Sequence, residues 1–205
     1  MNEMLNISRP KKGSAQKDKS LRKPLIPLSH RHAKSSDIPA ILALMEAAIL
    51  HNMAAFLSPA EIEATRASMG IDRSLIADQT YFIVETSLEG APVMVGCGGW
   101  GRRRTLYGGD ETSGRDDRLS NPATDAARIR AMYTHPDWIR RGVGSYLLHL
   151  AESAARREGF SQIELGSTIP GEPLYRAAGY KVLRRENHVS SSGAESAIIV
   201  MSKSL

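Results

Sequence analysis

Trp138-Ile139-Arg140-Arg141-Gly142-Val143-Gly144-Ser145 is the stretch on which the reading of this chain turns. Behind it Val143, Leu147, Leu150, Ala151 and Ala154 recur at three- and four-residue steps, the spacing of one apolar helix face. Arg156 and Arg157 suit the negative end of that helix's dipole, and Gly159 suits a left-handed cap beyond it. The helix therefore starts near Gly142. A helix start leaves backbone N–H groups without intrahelical partners, and two glycines remove the side chains that would hold a phosphate away from them. Arg140 and Arg141 add two positive charges. Standing alone, the segment would read as an ordinary glycine-containing turn.

Its neighbours change that reading. No Gly-Lys-Ser/Thr follows, which argues against a nucleoside triphosphate loop. In a dinucleotide fingerprint a third glycine would occupy Leu147 and the first would follow its strand directly, whereas Thr134 to Arg141 intervene here. Upstream, Ala127-Arg128-Ile129-Arg130-Ala131-Met132-Tyr133 alternates as a strand before the breakers His135-Pro136-Asp137. Downstream, Phe160 to Leu165 alternates again. Strand, loop, helix and strand in this order predict a right-handed crossover joining two parallel strands.

Arg-Arg-Gly-Val-Gly-Ser after Pro-Asp-Trp, with Leu174-Tyr175-Arg176-Ala177-Ala178-Gly179-Tyr180 about thirty residues on, resembles the central motif of the GNAT family, the acyl-CoA-dependent N-acetyltransferases. Gly142 and Gly144 match the family loop, while Ile139 stands where Gln or Arg is commoner. The resemblance implies an α/β fold with a mixed, mostly antiparallel central sheet, a parallel strand pair splayed by a bulge, and flanking helices. It implies acetyl-CoA as co-substrate, its pantetheine arm paired with the backbone of Met132, Tyr133 and Thr134 as an added strand. The pyrophosphate would lie on the amides of Arg140, Arg141, Gly142, Val143, Gly144 and Ser145. A homodimer is possible on the same ground.

The chemistry implied is direct attack of a primary amine on the thioester. It needs an unprotonated amine, donors toward the oxygen of the tetrahedral intermediate, and a proton for the departing thiolate. Resemblance and spacing both offer Tyr175 for the last role, and a main-chain N–H near Met132 or Tyr133 for the oxygen. For the base, Glu164 on the second strand, His135 and Asp137 beside the loop, and Asp110 all stay open, as does transfer through ordered water. A non-catalytic acyl-CoA-binding module is the alternative, and it would tolerate loss of the tyrosine.

Around this unit, 205 residues permit a single domain over residues 28–205 behind a basic tail over residues 1–27. Residues 1–34 hold nine Lys or Arg against Glu3 and Asp18, and the remainder carries 18 basic and 20 acidic residues, so the net charge of +5 belongs to the tail. That tail lacks apolar periodicity and reads as disordered. No aromatic residue within residues 1–34 could stack on bases, which argues against a nucleic-acid partner. No apolar run reaches membrane-spanning length and no apolar signal core opens the chain, so a cytoplasmic protein without a membrane partner is expected.

Leu28 to Ala33 reads as a first strand. Asp37 is placed to cap a helix running to about His51, and Ser58-Pro59-Ala60-Glu61 starts a second. In GNAT proteins these helices help frame the acceptor site. Thr80–Thr86 and Pro92–Trp100 form a hairpin around Glu89-Gly90-Ala91, whose glycine run after Val95 implies close packing or a bulge. Residues 101–126 form a polar connection long enough to suggest a role, here the border of the acceptor pocket. Tyr180–Arg185 and Ser196–Met201 close the sheet, joined by Asn187 to Gly193. Cys97 is the only cysteine and His30-x-His32 the only close histidine pair, so neither an internal disulfide nor a metal site is expected.

Overall fold

The structure, a computed structural model, describes residues 27–112, 114–189 and 195–205. The basic tail, apart from Pro27, and most of the Asn187–Gly193 connection lie outside the described residues. Strand β1 spans Ser29–His32, helix α1 Ile38–Asn52, α2 Pro59–Ser68 and α3 Arg73–Ala77. The hairpin strands are β2, Tyr81–Leu88, and β3, Ala91–Gly101. After the long connection come β4, Ala127–Thr134, α4, Val143–Arg157, and β5, Gln162–Ser167. Helix α5 spans Glu172–Ala177, and β6, Lys181–Val189, and β7, Glu195–Ser204, end the chain.

The strands form one seven-stranded sheet in the order β1-β2-β3-β4-β5-β7-β6. All neighbours are antiparallel except β4 and β5, which pair in parallel only at Ala127 with Ile163 and Arg128 with Glu164. Beyond Arg128 the two diverge. This is the mixed sheet with a splayed parallel pair that the crossover and the resemblance led us to expect.

The central strands are apolar on both faces because each face carries a helical layer. On one, Val143, Leu147, Leu148, Ala151 and Ala155 of α4 join a core with Val84, Val95, Ile129, Ile163 and Leu165. On the other, Ile41, Leu44, Met45, Ala48 and Ile49 of α1 pack with Tyr81, Ile83, Cys97 and Tyr133. Tyr81 and Ile83 enter one core and Phe82 and Val84 the other, as the two-residue period of a strand requires. The hairpin turns on Glu89 and Gly90, both with positive φ (50° and 84°), the backbone of a primed turn that follows the twist of its strands.

Asp37 departs from its expected role. A 3₁₀ turn, Ser35–Asp37, precedes α1, so Asp37 already has helical backbone and its carboxylate faces back. It accepts from the Lys34 amide at 2.8 Å and from the Arg31 guanidinium at 2.8 and 2.9 Å instead of capping α1. Ser58 behaves as its sequence predicts, exchanging hydrogen bonds with Glu61 in a capping box.

Candidate active site

The splay between β4 and β5 originates in a bulge on β4. Cys97 of β3 faces Tyr133 and Gly99 faces Arg130, so Gly98 alone opposes Ala131 and Met132. A β carbon on Gly98 would come within 3.0 Å of the Met132 Cα. Ala131 takes a left-handed φ of 51°, unusual for a residue with a side chain. Its carbonyl accepts a hydrogen bond from Tyr81 Oη at 3.2 Å. The buried tyrosine thus holds the backbone at the kink.

Past the bulge the His135 amide donates to Val95 O at 2.9 Å. Antiparallel ladders alternate, so Tyr133 directs its amide at β3 while Thr134 turns its amide and carbonyl toward the gap. Asn52 at the end of α1 reaches across and donates to Thr134 O at 2.8 Å. One side of the gap is therefore a short strand edge freed from its parallel neighbour.

The glycine turn closes the end of that gap. Arg140 (φ 59°) and Gly142 (φ 87°) are left-handed, which curls the backbone before α4. Gly142 is the N-cap of α4 and offers no capping side chain, so the first amides of the helix keep no acceptor among the described residues. The two glycines serve different ends. A β carbon on Gly142 would meet nothing, so this position needs glycine for its backbone angle, whereas one on Gly144 would touch Leu174 of α5 at 3.0 Å.

A cavity of about 790 Å³ occupies the splay. Met132, Tyr133, Thr134 and the turn residues Arg140, Gly142, Val143, Gly144 and Ser145 all line it, as does Tyr175. Arg141 does not; its guanidinium stacks over the Trp138 ring at 4.8 Å. The four sequence candidates for a base also stand off the lining. Glu164 pairs with Arg128 at 3.2 Å, Asp110 with Arg73 at 2.6 Å, and His135 and Asp137 sit beside each other at 3.9 Å. The strand pairing that makes Glu164 visible in the sequence is what ties it to Arg128.

Tyr175 is only 7% exposed, and its hydroxyl bonds to no other described residue. Its ring packs edge-on against Tyr180, 5.8 Å between centroids. Burial raises the Tyr175 pKa well above that of a free phenol, so it is protonated at neutral pH. Burial likewise pushes the Cys97 thiol up to about 12, although Tyr81 hydrogen bonds to it. Cys97 is a buried core residue whose thiol stays protonated at neutral pH.

The opposite wall holds what the sequence did not disclose. Arg130, 4% exposed, projects from β4 next to the bulge and donates to Asp72 Oδ2 at 2.7 Å, Thr105 O at 2.8 Å and Gly108 O at 2.6 Å. Arg115 donates to the other Asp72 oxygen at 3.2 Å and to Gly109 O at 2.9 Å. Burial pushes the Asp72 carboxyl up, but Arg130, Ser74 and Arg115 together pull it below the ordinary range. This knot pins the 101–126 connection against β4 and α3, and Leu106, Tyr107 and Gly108 become part of the cavity wall. Only an arginine at a strand position flanked by apolar residues hinted at it.

A family model described as an acetyltransferase (GNAT) domain matches residues 77–182. The chain belongs to the GNAT acetyltransferase family. Sequence comparison with curated proteins finds no match. Among solved structures, the GNAT chain is similar to a GCN5-related N-acetyltransferase from Rhodopseudomonas palustris, with 23% identity, a TM-score of 0.62, and coverage of 86% of this chain and 95% of that one. It is also similar to PaiA N-acetyltransferase from Thermoplasma acidophilum in complex with coenzyme A, at 13% identity and TM-score 0.55, covering 88% and 100%. A ribosomal-protein-alanine N-acetyltransferase from Brucella melitensis gives 20%, 0.54, and 86% and 99%. At such identities these likenesses speak for the fold. Among the described residues of the GNAT chain no cluster of His, Cys, Asp or Glu could hold a metal, and no helix is long and apolar enough to cross a membrane.

Proposed function

We propose that this GNAT protein moves the acetyl group of acetyl-CoA to a primary amine by direct attack, with Tyr175 as general acid. The observation that carries the proposal is the meeting, in one cavity, of a buried tyrosine whose hydroxyl has no partner among the described residues, a freed strand edge and a helix start with open amides. The freed Thr134 edge suits the amides of a pantetheine arm. The open amides of Val143 to Ser145, with Arg140 beside them, suit a pyrophosphate.

The amine nitrogen forms a bond to the thioester carbonyl carbon, and the carbon–sulfur bond breaks. With the Tyr133 amide spent on β3, the N–H of Met132 at the bulge is the donor left for the carbonyl oxygen. Tyr175 gives its proton to the leaving sulfur. Burial raises a phenol and a thiol alike, as Cys97 shows, so the transfer between them stays within reach despite the elevated Tyr175 pKa. The resulting phenolate is a strong base, and water returns to it the proton that the amine sheds. No fixed carboxylate base is then required.

The test is thiol release from acetyl-CoA over a panel of amines, for wild type and Tyr175→Phe. Turnover that collapses in the variant while coenzyme affinity persists is the expected result. Coenzyme binding without turnover on any amine would point to an acyl-CoA-binding module instead.

A further inference from the structure

The charges on the acceptor side of the cavity are few, and each is accounted for. Arg130, Arg140 and Glu61 are the only Lys, Arg, Asp or Glu side chains among the described lining residues. Arg130 is paired with Asp72 and donates to two carbonyls, and Arg140 belongs to the glycine turn. That leaves Glu61, whose Oε2 accepts from the Ser58 amide and hydroxyl at 2.8 and 2.7 Å and whose other oxygen is free of these bonds. The Tyr107 hydroxyl is directed at Glu186, 3.3 Å away.

Beside the polar side chains of Asn52, Thr65, Ser167 and Thr168, the cavity carries a large apolar surface. Met53, Leu57, Met69, Leu106 and Ile198 line it. Phe56, Ile139 and Ile169, which are 59%, 48% and 43% exposed, line the same cavity and give it an apolar rim open to solvent. Large apolar side chains left exposed around one opening mark a surface that is covered when a ligand arrives.

We infer that the acceptor is a monoamine on an apolar body, an alkyl- or arylalkylamine with no further charge. An amino acid would carry its carboxylate into a wall whose described residues offer no unpaired cation, at the cost of burying an uncompensated charge. A polyamine would bring several ammonium groups to a wall with one carboxylate. An apolar body instead gains by covering Phe56, Leu106 and Ile169, with Glu61 attracting the incoming ammonium before it deprotonates. This assignment rests on the acetyl-transfer reading above.

The experiment measures both turnover and binding. Thiol release is followed with butylamine, hexylamine, octylamine, phenethylamine, spermidine, alanine and a short peptide, and binding of each to the coenzyme A complex is measured by calorimetry. For the alkylamines kcat/KM should rise about fourfold for each added methylene that is buried. Phe56→Ala, at a half-exposed position that spares the core, should lower kcat/KM for octylamine about tenfold with little effect on butylamine. Glu61→Gln keeps an acceptor for Ser58, and should abolish the salt dependence of KM for octylamine. Higher kcat/KM for spermidine, alanine or the peptide than for octylamine would overturn the inference and leave acetyl transfer standing. Tight octylamine binding with no turnover would overturn acetyl transfer and leave the apolar monoamine as a ligand of the cavity and not an acceptor. Absence of both would overturn both.

Discussion

The two walls of the cavity are built from different materials. The wall proposed for the coenzyme is mainly backbone: a strand edge released at a bulge, a left-handed turn, and the open amides of a helix start. The wall proposed for the acceptor is side chain, held in place by the buried Asp72–Arg130–Arg115 knot and by the apolar faces of α1 and α2. A backbone wall needs only glycine at set positions and survives change elsewhere. A wall of side chains can be reshaped by substitution, which fits one coenzyme served with many acceptors. The family match, residues 77–182, includes the turn, Tyr175 and the two arginines of the knot but neither α1 nor α2.

The contrast can be broken most severely at the knot. Asp72→Asn strands the Arg130 charge in the core and should cost about 3–5 kcal/mol of stability, read by chemical denaturation, while the glycine turn is untouched. The knot also has a pH signature. The Asp72 carboxyl lies below its ordinary range in the folded chain, so its stabilisation is present above the unfolded pKa, near ~3.9, and disappears as pH falls through the lower folded value. Denaturation midpoints followed downward from pH 5 should fall less steeply in Asp72→Asn than in wild type.

Next in size is the chemistry. Tyr175→Phe should lower kcat by about 10²–10³-fold with coenzyme affinity and melting temperature nearly unchanged, because the hydroxyl makes no hydrogen bond to the described residues. Gly142→Ala forces a side chain into a left-handed residue, costing about 1–2 kcal/mol. It should weaken coenzyme binding in a calorimetric titration while leaving the knot's acid response in place. The smallest effect is expected at Tyr81→Phe, which removes the bond to Ala131 O and should cost about 1 kcal/mol. If the bulge needs that bond, kcat for the best amine falls as well; unchanged kcat would show that strand pairing alone sets the kink.

The sequence by itself settled the elements that rest on local chemistry. Glycines at 142 and 144, the Ser58–Glu61 box, the Glu89–Gly90 turn and the strand–helix–strand order each follow from backbone angles and near-neighbour spacing, and each appears in the structure. Asp37 departs from its capping preference because a 3₁₀ turn and Arg31 compete for the same carboxylate, a contest between neighbours that residue preference does not resolve. Tertiary structure alone decided that Arg130 finds Asp72, 58 residues away, that Glu164 is occupied by Arg128, and that Glu61 comes to border the cavity. Those outcomes depend on which side chains meet once the sheet has twisted and the helices have covered it. Pairings of that range leave no periodicity in the chain.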